Sequence, residues 1–178
     1  MNIFYLDTNP KKCAEYHCDK HVCKMIIEYG QILSTAHRFL DEDDYYIDPT
    51  TLYKKAFVNH PSTIWARTTD QNYIYLFYLW KALCREYTHR YNNIHLTQLT
   101  LEYYVGHKPR NIPEGIRTPV PLCMPDDVKC ESSLYSYRRY YNVYKSSFAR
   151  WTNRPVPTWF TKENPQINGG QLKEKQTS

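Results

Sequence analysis

The chain has 178 residues, 42% of them hydrophobic, which is enough for one compact domain with a substantial core. Its net charge of +5 permits a polyanionic partner without requiring one. No stretch approaches the ~18 apolar residues of a membrane span, and the opening MNIFYLD is too short for a signal peptide because Asp7 follows at once. We therefore expect no membrane segment and a location in the reducing cytosol.

The chain is rich in aromatic residues but offers no metal-binding pattern. Its 18 tyrosines are typical of rings whose hydroxyls reach water or a polar partner, as on nucleic-acid platforms. Cys13, Cys18 and Cys23 are five residues apart, about 140° round a helix, so they cannot converge on one ion. We expect no metal and no cofactor.

The first part of the chain predicts an extended segment and then a long helix. Residues 3–6 (IFYL) form a short strand or an extended plug into the core. Pro10 then opens a helix over about 11–40, and the acidic turn 41–44 and Pro49 end it. The apolar residues of this helix follow the 3.6-residue period: Cys18, Val22, Met25, Ile26, Tyr29, Ile32, Leu33, Ala36 and Leu40.

A turn and a second long helix follow. The run VNHPSTIW (58–65) gives a proline-fixed turn with Ser62 as the helix cap. The second long helix covers about 70–91, with Asp70 as its cap. Its apolar side chains are available to the same core as those of the first helix.

The rest of the chain alternates irregular and helical structure. Five prolines between 105 and 125 forbid regular structure and predict an ordered wrapping loop. A third helix is expected near 131–150, and residues 163–178 are typical of a disordered tail. The predicted fold class is therefore mainly α, with one helical domain over 1–162, an extended N-terminus and a proline-rich loop.

A polar stripe runs along the first predicted helix. Its positions alternate in steps of four and three, within about 100° of arc on a helical wheel: His17, His21, Lys24, Glu28, Gln31, Thr35 and Arg38. A solvated face is usually built from repeated Glu and Lys, whereas this stripe begins with two histidines. A neighbouring face carries small residues such as Gly30 and Ser34, so we expect the stripe to line a groove, with a plain solvent face as the alternative.

The first residues of the stripe suit proton transfer and covalent catalysis. His17 and His21 titrate near neutral pH and can move protons or hold a phosphate. Lys24, if it is desolvated beside cationic neighbours, can act as an amine nucleophile. Two histidines at i and i+4 are also half of a zinc site, but Cys18 replaces the glutamate that a zinc protease places after the first histidine.

The segment 135–162 combines positive charge with aromatic rings and contains no acidic residue. Basic groups neutralise phosphates, and flat rings stack on unpaired bases or wedge into a stack. The alternative is an amphipathic helix whose rings lie in the core. The residues expected to contact nucleic acid are Arg38, Arg138, Arg139, Lys145, Arg150, Trp151, Arg154 and Trp159.

Four stretches of the chain are similar to one known family. They are the apolar opening MNIFYLD, His17 on the first long helix, the Asn-His-Pro turn that supplies His60, and the helix ending YLWKALCREYTHRY. The aromatic end YRRYY…ARWTNRPVPTWF is similar as well. Together they resemble the pyrimidine-dimer DNA glycosylase/AP-lyase family of the phage endonuclease V type, over about 1–95 and 135–160. The resemblance implies a small helical fold with an extended N-terminus threaded between helices.

The resemblance also implies a mechanism. In that family an N-terminal α-amine attacks the sugar C1′ to give a Schiff base, and a helix carboxylate assists. Asn2 is too large for efficient removal of Met1, so the amine is that of Met1 itself or is displaced. Seven residues after His17, where the carboxylate is expected, the chain has Lys24, and the nearest glutamate of the stripe is Glu28. Lys24 is the alternative amine.

Three functions remain open. The first, which we adopt, is a DNA glycosylase/AP-lyase acting on DNA in the cytoplasm, that of the host if a phage encodes the protein. The second is a non-catalytic nucleic-acid-binding protein, and the third is an enzyme that uses the His/Lys cluster on a nucleotide or other small phosphate. The candidate catalytic residues are Asn2, His17, His21, Lys24, Glu28 and His60.

Overall fold

A computed structural model describes residues 1–41 and 51–161, and every regular element in these residues is helical. The helices are α1 (Pro10–Tyr16), α2 (Asp19–Leu40), α3 (Pro61–Thr68), α4 (Asp70–Tyr91), α5 (Leu96–Val105) and α6 (Ser133–Tyr144), with a 3-10 turn at Asp126–Val128. The mainly α fold class is confirmed. Most of the predicted acidic turn, Pro49 and the predicted tail lie outside the described residues.

The two long helices α2 and α4 pack against each other at the centre of the fold. Trp80 of α4 is fully buried, and its indole N–H donates to the carbonyl of Ile26 on α2 at 3.0 Å. Helix α5 approaches α2 at Gly30, where an added Cβ would lie 2.9 Å from Leu101 Cδ1. The small residue on this face therefore allows the close helix contact that the sequence predicted.

Residues 3–6 form the extended plug rather than a paired strand. Phe4 is buried, and its backbone N–H donates to the Tyr29 hydroxyl of α2 at 3.0 Å. Arg138 of α6 donates to the carbonyl of Leu6 at 2.9 Å. Side chains of the surrounding helices thus satisfy the backbone of the plug, and they hold the N-terminus at a fixed place.

The predicted single helix over 11–40 is wrong, because the chain is extended at 17–18, between α1 and α2. The backbone N–H of Asp19 donates to the carbonyl of Arg150 at 2.8 Å. The Asp19 carboxylate also accepts from the backbone N–H of Thr152 at 2.9 Å. Groups from a distant part of the chain therefore take the hydrogen bonds at this point, and α2 starts afresh at Asp19.

The predicted bounds of α4 are confirmed, but two predicted caps are wrong. His60 caps α3, since its Nδ1 accepts the backbone N–H of Ser62 at 3.2 Å. Thr69 caps α4 through its side chain. Asp70 instead accepts the backbone N–H of Gly115 at 3.1 Å, which fastens the proline-rich loop to the start of α4.

The proline-rich loop wraps the core as predicted, whereas α5 was not predicted and α6 is shorter than the expected 131–150. Ile112 and Val120 of the loop are buried, and Asn72 of α4 accepts the backbone N–H of Thr118 at 2.9 Å. After Tyr144 the chain continues without regular helix to residue 161. This last segment supplies the groups that interrupt the first predicted helix.

Candidate active site

One carboxylate lies between two amines at the surface end of the plug. Glu28 Oε1 is 3.2 Å from Lys24 Nζ, one turn earlier on α2, and Glu28 Oε2 is 4.0 Å from the Met1 amino nitrogen. The Glu28 side chain is only 16% exposed, while that of Lys24 is 60% exposed. The buried Met1 side chain fixes its end of the chain beside the carboxylate. We call Met1, Lys24, Glu28 and His60 the amine–carboxylate cluster.

His60 joins this cluster from the N-terminus of α3. Burial lowers the pKa of His60, the positive charge of the Met1 amine lowers it further, and the Glu28 carboxylate opposes them. The imidazole is therefore neutral at pH 7. Because its Nδ1 accepts the N–H of Ser62, the ring proton is on Nε2, where it can be donated.

His17 lies beneath the plug, fully buried, and does not share a surface with Lys24. Its Nδ1 is 2.8 Å from the Cys13 carbonyl, which can only accept, so Nδ1 carries the proton. Its Nε2 then accepts the Tyr29 hydroxyl at 2.9 Å, and that hydroxyl in turn accepts the Phe4 N–H. Burial lowers the pKa of His17 to about 4. This histidine positions the plug.

His21 is also buried, at 5% exposure. Its ring stacks on Phe4 with centroids 4.2 Å apart, and its Nδ1 contacts the Tyr141 hydroxyl at 2.5 Å. The pKa of His21 is lowered to about 2, mainly by burial. The positive charges of Lys145 and Lys24 lower it further. The predicted row of two imidazoles and an ammonium on one face is therefore wrong, because the break before α2 turns His17 inward.

The side chain of Asn2 anchors the residue next to Met1. Its Nδ2 donates to the carbonyl of Cys123 in the proline-rich loop at 2.8 Å. Its Oδ1 accepts the Tyr137 hydroxyl of α6 at 2.7 Å. Both polar groups of Asn2 are thus engaged by the protein, which makes it a positioning residue for the terminal amine.

The second half of the polar stripe is covered. Thr35 accepts the backbone N–H of Ala56 at 3.1 Å. Arg38 donates to the carbonyls of Tyr53 and Leu52, each at 2.7 Å, so this predicted nucleic-acid contact fastens a loop instead. The loop that leads to α3 therefore covers the part of the stripe beyond Gln31. The part that it leaves uncovered contains Lys24 and Glu28 of the amine–carboxylate cluster.

Several predicted nucleic-acid contacts near the C-terminus hold the fold together. Trp151 is 8% exposed and donates its indole N–H to the carbonyl of Tyr16 at 2.9 Å. Arg154 makes two bonds of 2.9 Å to the Glu86 carboxylate. Arg138 binds the plug and lies over the ring of Trp159 at 5.3 Å. These side chains do not form an open stacking surface.

Other cations and rings do remain at the surface beside the cluster. Lys20 lies over the Phe148 ring at 4.7 Å, and Lys145 lies over the Tyr140 ring at 4.5 Å. Both lysines, with Lys24, are close enough to His21 to lower its pKa. We call Lys20, Lys24, Tyr140, Lys145 and Phe148 the basic aromatic surface. Sequence reasoning missed Lys20, although it precedes Lys24 by one helical turn. The predicted contacts Arg139 and Arg150 are exposed.

A cavity of about 760 Å³ lies elsewhere, between α1 and α4, and no residue of the amine–carboxylate cluster lines it. Within residues 1–41 and 51–161, no three His, Cys, Asp or Glu side chains are grouped to hold a metal ion. No helix in the same part of the chain is long and apolar enough to cross a membrane.

Comparison with known proteins identifies a family. The family model for pyrimidine dimer DNA glycosylase matches residues 1–99, which is more than half of the 178-residue chain. No curated protein and no solved structure matches the chain. The matched region contains all four residues of the amine–carboxylate cluster.

Proposed function

The chain belongs to the pyrimidine dimer DNA glycosylase family, and from this membership we propose that it cleaves the glycosidic bond of a damaged or modified nucleotide in DNA by amine catalysis. The observation that carries the proposal is the approach of the Met1 amine to Glu28, at 4.0 Å. A largely buried carboxylate next to an amine and a neutral histidine supplies a nucleophile, a base and a proton donor in one place.

We assign the nucleophile to Met1. Glu28 takes a proton from the Met1 ammonium, and the neutral amine that results attacks the deoxyribose C1′. The new N–C1′ bond forms as the glycosidic bond breaks, and the base leaves with the electron pair of that bond and takes up the proton. Glu28 accepts a proton from the attacking nitrogen, and opening of the C1′–O4′ bond gives the Schiff base. The Nε2–H of His60 is the donor available to the departing group or to O4′.

Strand cleavage follows from the same groups. Removal of a C2′ proton by Glu28 allows β-elimination, which breaks the C3′–O3′ bond and releases the downstream strand with a 5′-phosphate, while the upstream strand stays attached to the enzyme through the unsaturated Schiff base. Hydrolysis of the Schiff base then frees the Met1 amine. The exposed Lys24 keeps a cation beside Glu28, and it is the competing nucleophile that the experiment must separate from Met1.

The basic aromatic surface supports DNA as the partner. Lysine ammonium groups neutralise phosphates, and the partly exposed rings of Tyr140 and Phe148 suit contact with unstacked bases. Because Lys24 belongs both to this surface and to the amine–carboxylate cluster, DNA bound there would have its backbone next to the amine.

Borohydride trapping tests the proposal, since it reduces a Schiff base to a stable protein–DNA adduct. We expect an adduct with duplex DNA that carries a pyrimidine dimer or an abasic site. Glu28→Gln should lower trapping by at least roughly a hundredfold, as expected for loss of an acid–base group. Glu102→Gln is the matched control, because that glutamate also pairs with a lysine, at 2.9 Å, but on α5.

The identity of the amine is tested with two further proteins. Lys24→Arg keeps the positive charge beside Glu28 and should still be trapped, whereas a short N-terminal extension should abolish trapping. The opposite pattern would assign the nucleophile to Lys24. A wild-type protein that forms no adduct with any of these substrates would refute amine catalysis.

A further inference from the structure

Phe57 combines two unfavourable features. Its side chain is 66% exposed to water, and its φ of 47° lies in the left-handed region that bulky residues rarely adopt. Such conformations persist where the surrounding structure enforces them, and they concentrate at functional sites. The contacts of the neighbouring residues show what holds the backbone of Phe57 in this conformation.

The residues on either side of Phe57 are tied to two different helices. Ala56 donates its backbone N–H to Thr35 of α2 at 3.1 Å. Val58 accepts from the Arg67 guanidinium of α3 at 2.7 Å. With both neighbours fixed, the backbone at Phe57 has little freedom to relax, and the ring is held out in water on a rigid turn.

The turn is part of the wall of the amine–carboxylate cluster. Its last residue is His60, whose backbone N–H donates to the carbonyl of Phe57 at 2.9 Å. Its anchor Thr35 is seven residues beyond Glu28 on α2, about 10 Å along the helix. Two exposed lysines, Lys54 and Lys55, precede the turn. A large ring and positive charge therefore stand together at the edge of the site.

We infer that Phe57 is a wedge that enters the base stack of duplex DNA beside the nucleotide that is presented to Met1. This inference rests on the proposed function and names the duplex base stack as what this part of the site recognises. Apolar side chains inserted at a base step partly unstack it and kink the duplex. A ring already fixed in position loses little conformational entropy on insertion, and the exposed Lys54 suits a flanking phosphate.

The wedge is needed only where bases are stacked, which gives the test. Phe57→Gly removes the ring and also suits a positive φ, so the variant should be at least as stable to heat as the wild type. We expect its borohydride trapping rate to fall roughly tenfold on an abasic duplex, the effect of removing one modest interaction. On the same abasic strand without its complement, the rate should stay within about twofold of the wild type.

Tyr103→Ala, which removes a 76% exposed ring on α5, is the control and should change neither rate.

A second readout does not depend on chemistry. In the Glu28→Gln background, 2-aminopurine next to the lesion in a duplex should brighten on binding as its stacking is lost. Adding Phe57→Gly should abolish the increase while binding persists. An unchanged duplex-to-single-strand ratio, or equal brightening with and without Phe57, would overturn the wedge. A wild-type protein that traps neither substrate would refute the proposed function, and the fluorescence would still decide on Phe57.

Discussion

At the scale of single residues, burial separates three histidines that the sequence singled out: His17, His21 and His60. His17 and His21 looked equivalent to His60 in the sequence, because residue type and spacing do not show which side of a helix break a side chain occupies. In the structure the first two are enclosed by the plug, while His60 stands beside the Met1 amine. The first two are therefore engaged in contacts inside the fold, and of the three only His60 is partly exposed.

The buried histidines predict a loss of stability in acid. The pKa of His17 in the folded protein, about 4, lies below its ordinary value of 6.5, so the unfolded chain binds the proton first. The stabilisation is therefore complete above pH 6.5 and is lost as the pH falls toward 4, at up to about 1.4 kcal/mol per pH unit. Urea unfolding at a series of pH values measures the slope.

The His17→Gln variant is the test of that assignment. Its free energy of unfolding should be lower at pH 7 but should depend less steeply on pH between 6.5 and 4, by about one proton. His21, whose pKa is lowered in the same direction, should still give a slope in this variant. Identical slopes in the wild type and in His17→Gln would show that His17 is not buried as a neutral group.

Tyr29→Phe should loosen the terminal amine. The Tyr29 hydroxyl accepts the Phe4 N–H and donates to His17 Nε2, and its loss leaves two buried polar groups unpaired. We expect about 2 kcal/mol less stability and slower trapping at a temperature where the variant is folded. Tyr73→Phe removes a buried hydroxyl that binds the Val105 carbonyl, far from the plug, and should cost stability alone. Equal trapping in the two variants would contradict the role of Tyr29.

At the scale of elements, local signals located helices and distant contacts altered them. The bounds of α4 were predictable because its apolar period and its C-terminal signals are local. The break before Asp19 was not, since the carbonyl of Arg150 that accepts its N–H is remote in sequence. Helix α5 was not predicted, because its packing depends on a contact with Gly30 in another helix. Lys24 stands seven residues after His17, but it is Glu28, one turn later on α2, that approaches Met1.

The ion network around Glu86 should be the most sensitive polar contact between α4 and the C-terminal segment. The carboxylate is buried, accepts Arg90 Nε at 2.8 Å, and binds Arg154 through two bonds. Glu86→Ala leaves the guanidinium of the buried Arg90 short of a partner, so we expect a loss of about 3 to 5 kcal/mol. Glu102→Ala, in a partly exposed pair with Lys81, should cost under about 1 kcal/mol. Similar losses by urea unfolding would show that the network is not decisive.

At the scale of the whole molecule, charge placement matters more than net charge. The basic content near the C-terminus was visible in the sequence, but Arg154 and Arg138 proved to bind Glu86 and the plug. For this reason we place the proposed DNA surface on the lysines of α2 and on Lys145, directly after α6. A count of cations cannot separate those that pair inside the fold from those that stay in water, since pairing depends on tertiary structure.

Salt dependence of DNA binding tests the basic aromatic surface. The double variant Lys20→Ala/Lys145→Ala should bind duplex DNA more weakly and flatten the plot of log affinity against log salt by about 0.9 for each phosphate that is no longer neutralised. Fluorescence anisotropy between low and moderate salt gives both quantities. Lys11→Ala/Arg85→Ala removes the same charge at the cavity between α1 and α4. Equal effects of the two double variants would mean that binding is not localised.

The anchoring of Asn2 has a consequence for the order in which the protein becomes competent. Its partners Cys123 and Tyr137 are 121 and 135 positions further along the chain. At a translation speed of about 5 to 20 residues per second, the nascent amino end waits on the order of ten seconds for them. The anchoring of Asn2 is therefore completed only after α6 has been synthesised, and a chain that stops before α6 lacks the hydrogen bond from Tyr137 to Asn2.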